Sequence, residues 1–220
     1  MRRLILCLAT LLVVVGCTST AATVDDSPTT PTPIPALPLL PADDAKKALL
    51  TARDLPWGWL PDAPTTGSPA APRLGTYQPA ECLDLRHPQN DLRAASARTE
   101  ITFTGPRQQI LFETIGSWPT AQQALLQKID AALARCESFV MTPPDGSEEI
   151  SFRTRRVPLP DVTDAVAVRF DVVSEGLTDF NVHVVRGGTV LHLRLPEGFD
   201  NAEIAQLVSK VVAKYDAVTK

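Results

Sequence analysis

The sequence predicts an α+β fold, with a mostly antiparallel sheet of about five to six strands and two main helices packed on one face. Three observations predict it. Gly187-Gly188 is flanked on both sides by alternating residues, and a two-residue Gly-Gly loop supplies the positive φ that a tight hairpin turn requires. The segments Pro119 to Glu137 and Asn201 to Tyr215 carry apolar stripes at helical spacing. Arg98 to Thr104 and Val166 to Val172 alternate between apolar and polar residues, as half-buried strands do.

Taken in order, Asp43 to Arg53 reads as a short helix, with Asp43 or Asp44 as its cap and Ala45, Ala48, Leu49 and Ala52 on one side. Pro56 stops it. Trp57 and Trp59 follow in a loop punctuated by proline and glycine, and two readings compete for them. They form an exposed aromatic binding site, or they are packed, since a tryptophan buries a large area. Residues 61–76 read as a surface loop, with Pro64, Gly67, Pro69, Pro72 and Gly75. Arg98–Thr104 and Gln109–Ile115 form a hairpin around Gly105-Pro106.

Ser117 and Pro119 open the long helix, whose stripe is Ala121, Leu125, Ile129, Ala132, Leu133 and Cys136. Glu149–Val157 is a weaker strand and Val166–Val172 a clear one. The Gly-Gly hairpin then sets its own register: Arg186 faces Thr189, Val184 faces Leu191 and Val182 faces Leu193. One side of that hairpin is apolar. The other holds Asn181, His183 and Val185 against Arg194, His192 and Val190, and is expected to be a polar, half-exposed face. The last helix starts at Asp200, which with Glu203 makes a capping box, and buries Ile204, Leu207, Val208, Val211, Val212 and Tyr215.

Ahead of these elements stands a positive head, Met1-Arg2-Arg3, an apolar run from Leu4 to Val15, then Gly16-Cys17. A dozen-residue helix reaches only ~18 Å, short of a ~30 Å hydrocarbon core, so residues 1–16 read as an export signal. The Cys directly after Gly16 resembles the lipobox of bacterial lipoproteins, which implies cleavage before Cys17 and diacylation of its thiol. Residues 17–42, rich in Pro and Thr, are expected to form an extended linker, and residues 43–220 a single extracytoplasmic domain. Without Arg2 and Arg3 the chain has 19 basic against 25 acidic residues, a net charge of −6. That charge is repelled by phosphate backbones and excludes nucleic-acid binding. It also leaves membrane attachment to the lipid on Cys17 rather than to a basic surface. Of the remaining thiols, Cys82 and Cys136 are expected to pair, as two thiols in an exported domain do.

The sequence lacks a Gly-x-Ser-x-Gly elbow, a phosphate-cradling glycine loop, a His-Glu-x-x-His motif and an EF-hand loop. His183 and His192 fall opposite one another in the hairpin, Cβ atoms ~5 Å apart. A zinc site would need at least a third ligand, and Arg194 beside them repels a cation. No metal, cofactor or catalytic residue is therefore expected. His87 near Cys82 suggests a thiol site only if that sulfur is reduced.

Four stretches carry a family resemblance: the Thr/Pro linker, Leu49-Leu50-Thr51-Ala52-Arg53-Asp54-Leu55-Pro56, the helix end Ala134-Arg135-Cys136, and the Val184-Val185-Arg186-Gly187-Gly188-Thr189-Val190 hairpin before a final helix. In them the chain resembles exported sensor-like domains of actinobacterial lipoproteins, including the PknH-like extracellular domain of receptor serine/threonine kinases. The resemblance implies a sheet-and-helix domain that binds a ligand in a cleft. The expected function is a non-enzymatic, lipid-anchored binding or sensor-like module at the outer face of the cell membrane, with an unidentified envelope ligand or protein partner. The alternatives are a lipid or glycolipid carrier, or an accessory subunit of an envelope complex. Trp57, Trp59, His183 and His192 are the candidate ligand-binding residues.

Overall fold

The computed structural model describes residues 35–63, 74–87 and 92–220. The export signal, Cys17 and most of the expected linker lie outside the described residues, as do positions 64–73 of the expected surface loop.

Apolar residues on both faces of one large sheet organise the domain. Its order is β1-β3-β4-β9-β8-β7-β6-β5-β2, and every neighbouring pair is antiparallel. The strands are β1 (Leu60–Pro61), β2 (Thr76–Gln78), β3 (Ala97–Thr104), β4 (Ile110–Ser117), β5 (Ser138–Thr142), β6 (Ile150–Val157), β7 (Ala165–Val172), β8 (Leu177–Arg186) and β9 (Thr189–Pro196). The helices are α1 (Ala42–Ala48), α2 (Cys82–Arg86), α3 (Gln123–Leu133) and α4 (Asn201–Thr219), with a 3-10 turn at Ala52–Asp54. Nine strands among the described residues replace the expected five to six. The additions are β1, β2 and β5, each too short for alternation to reveal it.

The Gly187-Gly188 hairpin has the expected register, with Val184 opposite Leu191 and His183 opposite His192. Gly187 takes positive φ, +59°. One side of the hairpin, with Phe180, Val182, Val184, Leu191, Leu193 and Leu195, packs in a core with α1 and α4. The other side, through Val185 and Val190, joins a second core built on Val166, Val168, Phe170, α2 and α3. The two main helices thus lie on opposite faces, not on one. The expectation fails because Asn181, His183, His192 and Arg194 read as a solvated surface, whereas the apolar residues beside them on β7 make that face a core.

The ends of several elements also move. Asp43–Arg53 divides into α1 and the 3-10 turn, because Leu49 and Thr51 are extended. α3 starts at Gln123, since the chain before it is held by the hairpin turn: Trp118 N donates to Gly188 O (2.8 Å) and Gln122 N to Gly187 O (2.9 Å). Pro35 to Pro41, expected as linker, lies on the domain, where Leu37 N donates to Pro119 O (2.8 Å) and Leu40 N to Ser117 Oγ (3.1 Å). Asp200 and Glu203 form the expected capping box on α4.

Candidate functional site

On the α3 side of the sheet, alternate residues of β8 and β9 line up as Val185, His183, Asn181, Asp179 and Val190, His192, Arg194. α3 covers this side over β6, β7 and β8. At the Asp179 end the neighbours are instead α2, β2, β5 and β6, and the sheet opens into a cleft of about 680 Å3. That volume is in the range of small-molecule sites.

The floor of the cleft is charged. α2 has five residues, too few to hold a helix unaided, and the Cys82–Cys136 disulfide ties it to the end of α3. Ion pairs Lys128–Asp84 (3.0 Å) and Arg135–Glu81 (3.1 Å) add to that attachment. Arg86, in the last turn of α2, donates from Nη1 to Asp179 Oδ1 at 2.6 Å. Its guanidinium carbon lies 5.3 Å from the Phe152 ring centroid and 4.9 Å from that of Phe170, a cation-π arrangement on two rings. Arg194 Nη2 donates to the other carboxylate oxygen, Asp179 Oδ2, at 3.2 Å. Two guanidinium groups share one carboxylate, which leaves this cluster with a net positive charge. The Arg86 side chain is only 11 % exposed and that of Arg194 is 35 %.

Next to these groups His87 Nε2 lies 2.7 Å from the Tyr77 hydroxyl. Burial, reinforced by Arg86 and Arg194, pushes the His87 pKa down to about 4, so the imidazole is neutral at pH 7. Burial raises the Tyr77 pKa, and it lowers that of Arg194. The walls are apolar: Ile110 and Phe112 on β4, Leu177 on β8, and Met141, Ile150 and Phe152 from β5 and β6. Ile110, Phe112 and Leu177 are among the large apolar side chains left exposed. The exposed charges Arg107, Glu175 and Glu197 stand at the rim.

The residues singled out from sequence fall elsewhere. His183 and His192 face each other with ring centroids 4.5 Å apart, but they are 1 % and 2 % exposed, not half-exposed. Their four ring nitrogens have no hydrogen-bond partner among the described residues. Burial lowers both pKa values, that of His192 to about 3, so both rings are neutral. Trp57 is 96 % exposed, whereas Trp59 is buried with its ring 5.7 Å from that of Phe199. Both tryptophans line a smaller hollow of about 290 Å3 that shares Arg107, Gln109 and Glu197 with the main cleft. The two tryptophans therefore lie beside the cleft, and the two histidines line neither hollow.

Sequence reasoning missed Arg86, Asp179 and Tyr77. One signal was present: the hairpin register places Asn181 opposite Arg194, and two residues further along β8 the same side carries Asp179. A separate buried carboxyl, Glu113, sits on the α4 side of β4. Its Oε2 accepts from Leu50 N at 2.7 Å, while Oε1 has no partner among the described residues. Burial raises its pKa to about 8, against the opposing effects of the Leu50 hydrogen bond and Lys214. Among the described residues no group of three or more His, Cys, Asp or Glu side chains is placed to hold a metal ion, and no helix is long and apolar enough to cross a membrane.

No protein-family model matches the chain, and no curated protein matches it. Among solved structures, the extracellular domain of PknH from Mycobacterium tuberculosis is similar at a TM-score of 0.63 and 15 % identity, over 82 % of this chain and 98 % of that one. An uncharacterised protein of Mycobacterium smegmatis aligns at a TM-score of 0.44 and 14 % identity, over 79 % of this chain and 96 % of that one. The resemblance seen in sequence thus holds at the level of architecture: over 82 % of its length this chain has a fold like that of the PknH extracellular domain.

Proposed function

We propose that the protein is an extracytoplasmic, sensor-like binding module without enzymatic activity, held at the outer face of the membrane by a lipid on Cys17. Its ligand enters the cleft between α2 and the β4, β8 and β9 strands. The observation that carries this reading is the 680 Å3 cleft, with paired arginines on its floor and exposed apolar side chains on its wall. The likeness in fold to an extracellular domain supports it, and so does the disulfide, which suits an oxidising compartment. The ionisable groups of the floor are bonded to one another, Asp179 to two arginines and His87 to Tyr77, which favours binding over acid-base chemistry. The cleft is open to solvent, so it suits detection of a ligand better than the concealment a carrier needs.

Native mass spectrometry of the protein after incubation with envelope extract tests the cleft. A species is expected to be retained by the parent chain and lost in Phe112→Asp. Retention unchanged by that substitution removes the cleft as the site. Metabolic labelling with palmitate tests the anchor: the label is expected on the parent chain and absent from Cys17→Ala.

A further inference from the structure

The chemistry of the floor and wall points to a ligand class, and this step rests on the reading of the cleft as the binding site. We propose that the cleft takes a single-chain amphiphile with one anionic head, a carboxylate or a phosphate, held by Arg194 with the chain along Ile110, Phe112 and Leu177.

The head follows from unequal arginines. Arg86 is immobilised, with a 2.6 Å bond to Asp179, two phenylalanine rings against its guanidinium, and its backbone carbonyl accepting from Asn181 Nδ2 at 3.3 Å. Arg194 makes one longer bond to the same carboxylate and is the more exposed of the two. A guanidinium has five N–H donors, and among the described residues Arg194 donates to Asp179 alone, so donors remain for a ligand. The shared carboxylate offsets one of the two positive charges and leaves the other. A cation is repelled there, and a neutral head leaves that charge unused. The rim charges Arg107, Glu175 and Glu197 are solvent-exposed and screened over a Debye length of ~8 Å, whereas the floor is screened less.

The chain follows from the wall. Ile110, Phe112 and Leu177 stay partly exposed while lining one concavity, and small-molecule clefts are lined mostly by apolar side chains around a few polar groups. A small polar anion satisfies the arginine and leaves that wall wet. An amphiphile satisfies both.

Isothermal titration of the protein with dodecanoate, dodecyl phosphate, dodecanol and inorganic phosphate, the two alkyl anions below their micelle concentrations and dodecanol below its solubility limit, tests this. Both alkyl anions are expected to bind, dodecanol at least about tenfold more weakly, and inorganic phosphate not measurably. The two anions separate a carboxylate preference from a phosphate preference. Shortening the chain is expected to weaken binding about fourfold for each methylene withdrawn from the wall. Arg194→Gln is expected to weaken both anions about tenfold or more and leave dodecanol unchanged. Arg194→Lys is expected to recover part of the loss, and Arg107→Gln at the rim to change affinity less than about twofold. Equal binding of dodecanol and dodecanoate, unaffected by Arg194→Gln, overturns the anionic head. Tight binding of inorganic phosphate overturns the chain. No binding of any alkyl probe overturns the amphiphile, while the cleft reading stands if an envelope species is still retained and lost in Phe112→Asp.

Discussion

Glu113, His183 and His192 are ionisable side chains in places closed to water, and their opposite signs shape how stability responds to pH. The histidines have folded-state pKa values below the unfolded value of about 6.5. Between those limits the unfolded chain binds protons that the folded chain does not. Their contribution is therefore complete above about pH 6.5 and falls away on acidification. His87, with its pKa near 4, acts in the same sense. Glu113 acts in the other: its folded pKa of about 8 lies above the ordinary carboxyl value of 4.5, so its contribution is complete below about pH 4.5 and is lost as pH rises through about 8. Urea midpoints are expected to peak between about pH 6 and 7. Glu113→Gln is expected to flatten the alkaline limb, worth up to about 2 kcal/mol between pH 6.5 and 8. The double variant His183→Leu/His192→Leu is expected to flatten much of the acid limb. An unchanged pH profile in both variants contradicts these assignments. None of this was legible beforehand: Glu113 in β4 looks like the polar half of an alternating strand, and the histidines look solvated, until the elements covering them are known.

At the scale of elements, the Gly187-Gly188 turn and α2 each depend on contacts far away in sequence. A Cβ on Gly188 would stand 2.4 Å from the Trp118 carbonyl oxygen, at the point where the chain leading into α3 bonds to the turn. Gly188→Ala is expected to cost about 1–3 kcal/mol by overpacking. Chemical denaturation of the variant beside the parent chain measures the loss. α2 depends on its disulfide. Cys82→Ala/Cys136→Ala is expected to lose about 2–5 kcal/mol, with hydrogen exchange accelerating first in α2. The same change frees Arg86, so affinity for a cleft ligand should fall together with α2 protection. Unchanged exchange in α2 would show that the ion pairs to α3 suffice. The hairpin and the capped α4 were readable because Gly-Gly and Asp200/Glu203 are local signals. α2 was not, because five residues between a loop and a histidine carry no period, and neither was Arg86 at its end.

The whole molecule is a sheet with a core on each side, and that arrangement explains which parts of the site could be foreseen. One core was announced by the apolar side of the hairpin, Val182, Val184, Leu191 and Leu193. The other runs along β7, with Val166, Val168 and Phe170, and continues beneath residues whose polar character concealed it. The cleft forms where the second core runs out beyond Asn181 and α3 no longer covers the strands. Its place follows from how far one helix extends, and helix extent is the least secure reading of a single sequence. Its charges come from α2, β8 and β9, which only the tertiary fold brings together.

The sheet's margins carry a consequence for crowded conditions. β1 is two residues long and contains Pro61, which has no N–H to offer a newcomer, and β2 at the opposite margin is three residues long. Neither of these two strands offers an incoming strand more than three rungs. Pro61→Val, which restores a donor beside the exposed Leu60, is therefore expected to raise the thioflavin signal of concentrated solutions above that of the parent chain.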